Sequence, residues 1–257
     1  FRNQGHGAAA IVGVDDDHCK TVATALEDEG HTVIRLSVKH QLKNGVYIAD
    51  GKLIDAMKGD PVTVLDLNDA PALPGLHNAQ NIAAAYAATR REGLTPAEIR
   101  DGILSFPGLA HRLETVVVED GIRFINDSKA TNAEATARAL ASFERIYWIA
   151  GGREKEGGYD VLRPYLPTVR KAFLIGEAAE NMAAALSKSL EVEICGTLLR
   201  AVEQATALAM AEGVRGSAVL LSPACASFDQ FPNFEIRGTA FTEAVAATLR
   251  RRREHRS

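Results

Sequence analysis

A two-part α/β protein is predicted by three observations. Short apolar runs at residues 146–150, 172–175, 192–194 and 218–221 recur through the second half of the chain, and helical sequence follows each. Two Asp-Gly pairs, Asp50-Gly51 and Asp120-Gly121, each sit between apolar runs and announce β-hairpins. An alanine-rich window over residues 76–91 has the length and composition of a buried helix. Strands alternating with helices imply a mostly parallel, doubly wound sheet with right-handed crossovers.

From the start of the chain, residues 8–14 read as a buried strand stopped by Asp15-Asp16-Asp17, and residues 19–26 as a short helix. The three acids fit a solvated strand end with a helix cap better than a metal cluster, because neighbouring side chains diverge and divalent cations want convergent oxygens. Residues 46–48 and 52–54 make the first hairpin. After Pro74-Gly75 a helix begins at His77 and Asn78. Phe106-Pro107-Gly108-Leu109 breaks the helix before it, which divides the chain into 1–108 and 109–257. Residues 116–118 and 122–124 form the second hairpin. Helices over 177–187, 197–212 and 239–250 have the apolar spacing needed to cover a sheet. The bases Arg250 to Arg253, followed by Glu254, read as a frayed helix tail rather than a nucleic-acid arm.

With 257 residues, 46% of them hydrophobic and 24% charged, the composition is that of ordinary soluble protein, and no apolar run approaches the length of a membrane span. A net charge of -4 exerts no general pull on nucleic acid or anionic lipid, so any anion must be held locally. Cys19, Cys195 and Cys225 are too few and too scattered for a disulfide framework or a zinc site, which fits a reducing cytoplasm. The opening residues, Phe1 to His6, include no initiating methionine and no apolar signal region, so the chain is expected to begin mid-protein.

The chemistry concentrates in loops. The stretch from Asn126 through Asp127, Ser128, Lys129, Ala130 and Thr131 to Asn132 closes an apolar run and leads into an alanine-rich helix. Small hydrogen-bonding residues delivered to a helix N-terminus suit anions. Asp127 can accept from ribose hydroxyls, and Lys129 is a mobile point charge suited to phosphate. The alternative is that Asp127 or Ser128 only caps the helix, with Glu134 helping from inside. The Gly151-Gly152-Arg153-Glu154-Lys155 loop follows a strand and offers Lys155 as an anion anchor; otherwise it is a mobile surface loop. Beyond the last strand, residues 222–234 place Ser227 and the amide of Phe228 where a carboxylate can be held, with Phe234 as an apolar wall, unless the segment is only a packed turn. Cys225 has no partner base in the sequence around it. His111-Arg112 follows the domain boundary, and Arg112 offers a planar fork to phosphate or ribose unless it is a plain surface arginine. Asn78 and Asn81, three apart on one helix face, carry the donor and acceptor that an adenine edge requires, although capping also accounts for Asn78. Neither G-x-x-x-x-G-K-[ST] nor G-x-G-x-x-G occurs, which argues against a phosphate loop within these residues and against an NAD dehydrogenase.

Five motifs in order (75–81, 108–112, 126–132, 151–155 and 222–234) resemble the Mur ligase family over nearly the whole chain, and the Ser-Pro-Ala-Cys-Ala-Ser segment is similar to its glutamate-adding branch. The resemblance implies the rear of a P-loop-type ATPase domain followed by a Rossmann-like C-terminal domain. It implies a monomeric cytoplasmic enzyme that uses ATP and Mg2+ to join D-glutamate to UDP-N-acetylmuramoyl-L-alanine through an acyl phosphate, in peptidoglycan precursor synthesis. By motif, Asn78 and Asn81 would face adenine, His111, Arg112 and Asp127 would hold ribose and phosphate, and Lys129 would neutralise phosphoryl charge. Thr131, Lys155, Ser227, Phe228 and Phe234 would hold D-glutamate, with Lys129 and Lys155 as the catalytic pair. The family's phosphate loop, carbamylated lysine and magnesium ligands are expected upstream of these residues, so the chain by itself is expected not to ligate. Two departures or rivals bear on this. Glu154 stands where relatives often carry aspartate, and the Asp-Asn-Pro-Arg signature of diaminopimelate-adding relatives is absent. A non-catalytic nucleotide-binding module is the rival from another class.

Overall fold

The computed structural model describes residues 1, 3–5 and 7–254, so Arg2 and His6 of the opening stretch and residues 255–257 lie outside the described part. The chain divides into two compact units, Phe1–Pro107 and Gly108–Ser257.

The first unit contains β1 (Ala9–Gly13), α1 (Asp17–Asp28), β2 (Thr32–Ser37), β3 (Val46–Ala49), β4 (Lys52–Asp55), β5 (Val62–Asp66), α2 (Leu76–Arg91) and α3 (Pro96–Ser105). The strands lie in the order β1-β2-β3-β4-β5, with the first three parallel and the last two antiparallel to their neighbours. Asp50 sits at φ 50, the left-handed geometry of a tight hairpin turn. The acid triplet divides its labour. Asp16 caps α1 by accepting from the Cys19 amide at 2.9 Å, while Asp15 turns back to the end of β2 and accepts from Ser37 Oγ and the Val38 amide. α1 covers Ala10, Val12 and Val14 on one face of the sheet. α2 and α3 cover Ile34, Leu36, Val46 and Leu53 on the other. α2 begins one residue before His77, at Leu76, and its N-cap Gly75 makes no side-chain cap bond. α3 opens with a reciprocal Thr95–Glu98 capping box and Pro96 in its first turn, a start signal present in the sequence.

The second unit contains β6 (Glu114–Glu119), β7 (Ile122–Asn126), α4 (Ala133–Leu140), β8 (Ile146–Gly151), a 3-10 stretch (Asp160–Thr168), β9 (Val169–Ile175), α5 (Ala179–Leu186), β10 (Val192–Gly196), α6 (Leu198–Glu212), β11 (Ala218–Leu221) and α7 (Phe234–Glu254). Its sheet runs β10-β9-β8-β11-β7-β6, parallel throughout except for the β6–β7 hairpin. α4, α5 and the 3-10 stretch bury Trp148, Leu174 and Met182 on one face, and α6 and α7 bury Tyr147, Phe173 and Phe241 on the other. Cover on both faces is why β8 is apolar along its whole length rather than alternating. α7 is longer than the sequence suggests: it starts at Phe234 and runs through the arginines, which are not frayed. Arg251 pairs with Glu203 and Arg253 with Glu119, each at 2.5 Å.

Leu221 of β11 is level with Asn126 of β7 on one side and with Ile149 of β8 on the other. The loops that follow these three strands therefore leave the same edge of the sheet side by side, beyond the carboxyl ends where open α/β sheets place their ligands.

Candidate functional site

Asp127 stands at the tip of β7 and is 7% exposed. Its Oδ1 accepts from the Leu113 amide at 3.2 Å and its Oδ2 from Ser222 Oγ at 2.8 Å, so one carboxylate ties the turn before β6 to the end of β11. Burial pushes its pKa up to about 7, against the pull of the Ser222 and Leu113 donors and the Arg112 charge. It does not cap α4. That helix is capped by Asn132, whose Oδ1 accepts from the Ala135 amide at 2.8 Å, so neither Asp127 nor Ser128 is spent on the helix end.

Lys129 follows on the same loop. Its amide donates to the His111 carbonyl at 3.1 Å, and its ammonium lies 3.9 Å from the centre of the Phe234 ring at the start of α7. Phe234 thus carries a cation on its face. Lys155, exposed in the loop after β8, reaches Thr131 Oγ1 at 3.4 Å, which joins two of the motif loops. The exposed side chain of Arg112 makes no hydrogen bond to a described residue. Among the described residues, Arg112, Lys129 and Lys155 pair with no carboxylate, although the unit is otherwise rich in ion pairs.

The loop after β8 is fastened to the loop after β11 by an exchange between Arg153 and Ala226, with amide-to-carbonyl distances of 2.8 and 2.9 Å. Only glycine fits at Gly152, where φ is 133 and a Cβ would strike the Ala226 carbonyl. Beside this junction Ser227 is 2% exposed, yet neither its hydroxyl nor the Phe228 amide is spent on a described residue. The Phe228 ring itself is 63% exposed. Cys225 is buried against Tyr159 and its thiol is pushed up to about 11 by that burial, which removes it as a nucleophile at neutral pH.

Arg237 has no motif in the sequence to mark it, yet it fastens two loops of this edge. It is 1% exposed on α7. Its guanidinium donates to Ser128 Oγ at 3.0 Å, to the Ser128 carbonyl at 2.9 Å and to the Cys225 carbonyl at 3.1 Å. Burial depresses its pKa to about 10. No local signal marks it: Glu235, Gly238 and Thr239 surround Arg237 in the sequence, so nothing distinguishes it from a surface arginine.

Asn78 and Asn81 lie in the first unit, on α2. Asn78 Nδ2 donates to the Pro74 carbonyl at 2.8 Å, and Asn81 Nδ2 to Asn78 Oδ1 at 3.4 Å. Asn78 is therefore held by the preceding turn and is not capping an amide, and the two amides share a face. No group of three or more His, Cys, Asp or Glu side chains among the described residues is arranged to hold a metal ion. No helix among them is long and apolar enough to cross a membrane.

Residues 111–225 match the Mur ligase, glutamate ligase domain family. The chain is 51% identical over 238 residues to a UDP-N-acetylmuramoylalanine–D-glutamate ligase of Rhizobium johnstonii, covering 93% of this chain and 51% of that protein. It is 49% identical over 246 residues to the ligase of the same name from Caulobacter vibrioides, covering 95% and 52%. The chain thus spans about half the length of the curated relatives it matches. Among solved structures, the Acinetobacter baumannii UDP-N-acetylmuramoylalanyl-D-glutamyl-2,6-diaminopimelate–D-alanyl-D-alanyl ligase superposes with a TM-score of 0.59 at 20% identity, over 94% of this chain and 52% of that one. A Thermotoga maritima MurF ligase in complex with ADP gives 0.58 at 18% identity, over 95% and 54%. These likenesses carry the fold, and the sequence matches carry the kinship: residues 111–225 are a Mur ligase C-terminal domain, in a chain about half identical to the named ligases over more than nine tenths of its length.

Proposed function

We propose that the protein to which these residues belong is an ATP-dependent ligase that adds D-glutamate to UDP-N-acetylmuramoyl-L-alanine, in peptidoglycan precursor synthesis. The observation that carries the reading is that Arg112, Lys129 and Lys155 make no direct ion pair among the described residues, Arg112 acting only at longer range on Asp127, while the Ser227 hydroxyl and Phe228 amide on adjoining loops are uncommitted. Cations and donors left without anions of their own describe a place for anionic ligands. The names of the relatives support D-glutamate and a UDP-N-acetylmuramoyl substrate as those ligands.

In this reading the γ-phosphate of ATP passes to the terminal carboxylate of the nucleotide sugar, forming an acyl phosphate and ADP. The amine of D-glutamate attacks that carbonyl, the new amide forms and phosphate leaves. Lys129 neutralises phosphoryl charge, steered by the Phe234 face. Lys155 with Thr131, and Ser227 with the Phe228 amide, hold the two carboxylates of D-glutamate. His111, Arg112 and Asp127 serve the ribose and phosphates, and Asn78 and Asn81 serve adenine. Magnesium supplies further charge neutralisation when bound with the nucleotide, and the residues described here do not by themselves make its site. Phosphoryl transfer asks for positioning and charge stabilisation more than for a nucleophile, which agrees with the inert Cys225.

Calorimetric titration of the chain with ADP, then with D- and L-glutamate, tests the reading. Saturable binding of ADP and of the D enantiomer over the L is expected. Equal affinity for both enantiomers removes the glutamate assignment, and no ADP binding removes the nucleotide assignment.

A further inference from the structure

His111 occupies an unusual turn. It lies at φ 62 and Leu113 at φ 47, two non-glycine residues in the left-handed region within three positions. Each such conformation costs about 1 to 3 kcal/mol and persists only where its surroundings over-determine it. Here Glu114 Oε2 accepts the His111 amide at 2.8 Å, Asp127 accepts the Leu113 amide, and the His111 carbonyl accepts the Lys129 amide. The turn aims the imidazole at Asn126, the last residue of β7, which is wholly buried.

The Asn126 amide can face only one way. Its Oδ1 accepts from the Ser128 backbone N–H at 3.3 Å, and its Nδ2 lies 3.1 Å from the Gly238 carbonyl, which takes one of its two hydrogens, and 3.2 Å from Glu114 Oε2. A backbone N–H can only donate and a backbone carbonyl can only accept, so these partners settle which end of the amide is which. The shortest contact of Nδ2, at 3.0 Å, is to His111 Nδ1, which takes the second hydrogen ahead of the more distant Glu114 oxygen; that oxygen lies 3.8 Å from Nδ1, beyond hydrogen-bond reach, and accepts the His111 amide instead. An amide nitrogen has no lone pair to offer, so in the neutral ring Nδ1 must be the acceptor and the proton must sit on Nε2. Nε2 makes no hydrogen bond to any described residue and is not sealed from solvent. Gly238 belongs to the same device: a Cβ there would run into the imidazole, so glycine lets α7 bring its carbonyl to Asn126.

We propose that Asn126 is a positioning residue that locks His111 as the Nε2–H tautomer and so presents a fixed hydrogen-bond donor to an acceptor atom of a nucleoside di- or triphosphate. The clamp stands on geometry alone; the choice of ligand rests on the function proposed above. A strained turn, a buried amide and a helix glycine are all spent on the orientation and protonation of one ring, as happens where a histidine must meet a ligand in one form.

The test is long-range 1H–15N spectroscopy of the 15N-labelled chain at pH 8, with the His111 ring assigned by its loss in His111→Gln. The expected wild-type pattern is a pyridine-like Nδ1 and a pyrrole-like Nε2. Asn126→Ala should collapse this towards a tautomer average, and Asn126→Asp, which offers only acceptors, should move the proton to Nδ1. A pyrrole-like Nδ1 in the wild type, or a pattern unchanged in Asn126→Ala, overturns the proposal, and the wild-type spectrum decides alone if the variants fail to fold. ADP titration of the same samples is a separate arm. A loss of about two- to tenfold in affinity is expected for Asn126→Ala, the size of one hydrogen bond. Unchanged ADP affinity alongside a lost tautomer counts against the nucleotide reading, with the clamp established by the spectrum.

Discussion

Asp127 makes a prediction with a sign. Its carboxyl is held near pH 7 in the folded chain against an ordinary 3.8, so the folded state binds the proton more tightly than the unfolded state does. Stability is therefore fully present below about pH 4 and is lost as pH rises through about 7, at up to about 1.4 kcal/mol per pH unit from this one group. Asp127→Asn keeps both contacts and should flatten that slope, read as the denaturation midpoint against pH. An identical slope in the two proteins would show that the buried acid is not the source. Lys155 sits at the other end of the site. Among the described residues its ammonium reaches only Thr131, so Lys155→Ala should leave the fold intact while weakening D-glutamate binding by about ten- to a hundredfold, the worth of one charge-assisted hydrogen bond. Unaltered binding of D-glutamate by a folded variant would take Lys155 out of the site.

At the scale of elements, α7 is the clasp of the site. Arg237 on its buried face donates to carbonyls at the ends of two different loops, and Arg237→Met leaves those carbonyls without donors. At about 1 to 3 kcal/mol for each of the two orphaned carbonyls, the variant should lose roughly 2 to 6 kcal/mol of unfolding free energy, measured in urea. A loss below about 1 kcal/mol would mean that the loops hold themselves. The limits of sequence reading show at the same element. The strands of the second unit were legible because both faces of the sheet are covered, which makes their apolar runs continuous. The hairpins were legible because Asp-Gly has few other uses. The first two turns of α7 were not, because Phe234 to Gly238 interrupts an apolar pattern with residues chosen for the site: a ring under Lys129, an arginine for two loops and a glycine for His111. β2, six residues with only Ile34 and Leu36 apolar on one face and Val33 on the other, gave too short a period to separate from loop.

For the whole molecule, each unit encloses its own apolar clusters, and the cluster members change sides of Pro107 nowhere. Phe106 and Pro107 between them are exposed. Residues 108–257 expressed alone should therefore fold cooperatively with the α/β circular dichroism of the sheet, and a molten or unfolded product would show that its core is incomplete without residues 1–107. The loops proposed to carry the chemistry stand out by residue type and order. The buried supports, Asn126, Ser222 and Arg237, do not, because hydrogen bonds between residues a hundred positions apart leave no local pattern.

The claim on which the account turns is that the loops after β7, β8 and β11 hold a nucleotide and an amino acid together. Amide chemical-shift mapping of the 15N-labelled chain, with ADP and D-glutamate added in turn, addresses it directly. In the second unit the account predicts perturbations concentrated at residues 111–113, 126–131, 151–155 and 222–234, with Ser227 and Phe228 moving on addition of D-glutamate. Perturbations confined to the opposite edge of that sheet, or none at these loops at saturating ligand, would contradict it.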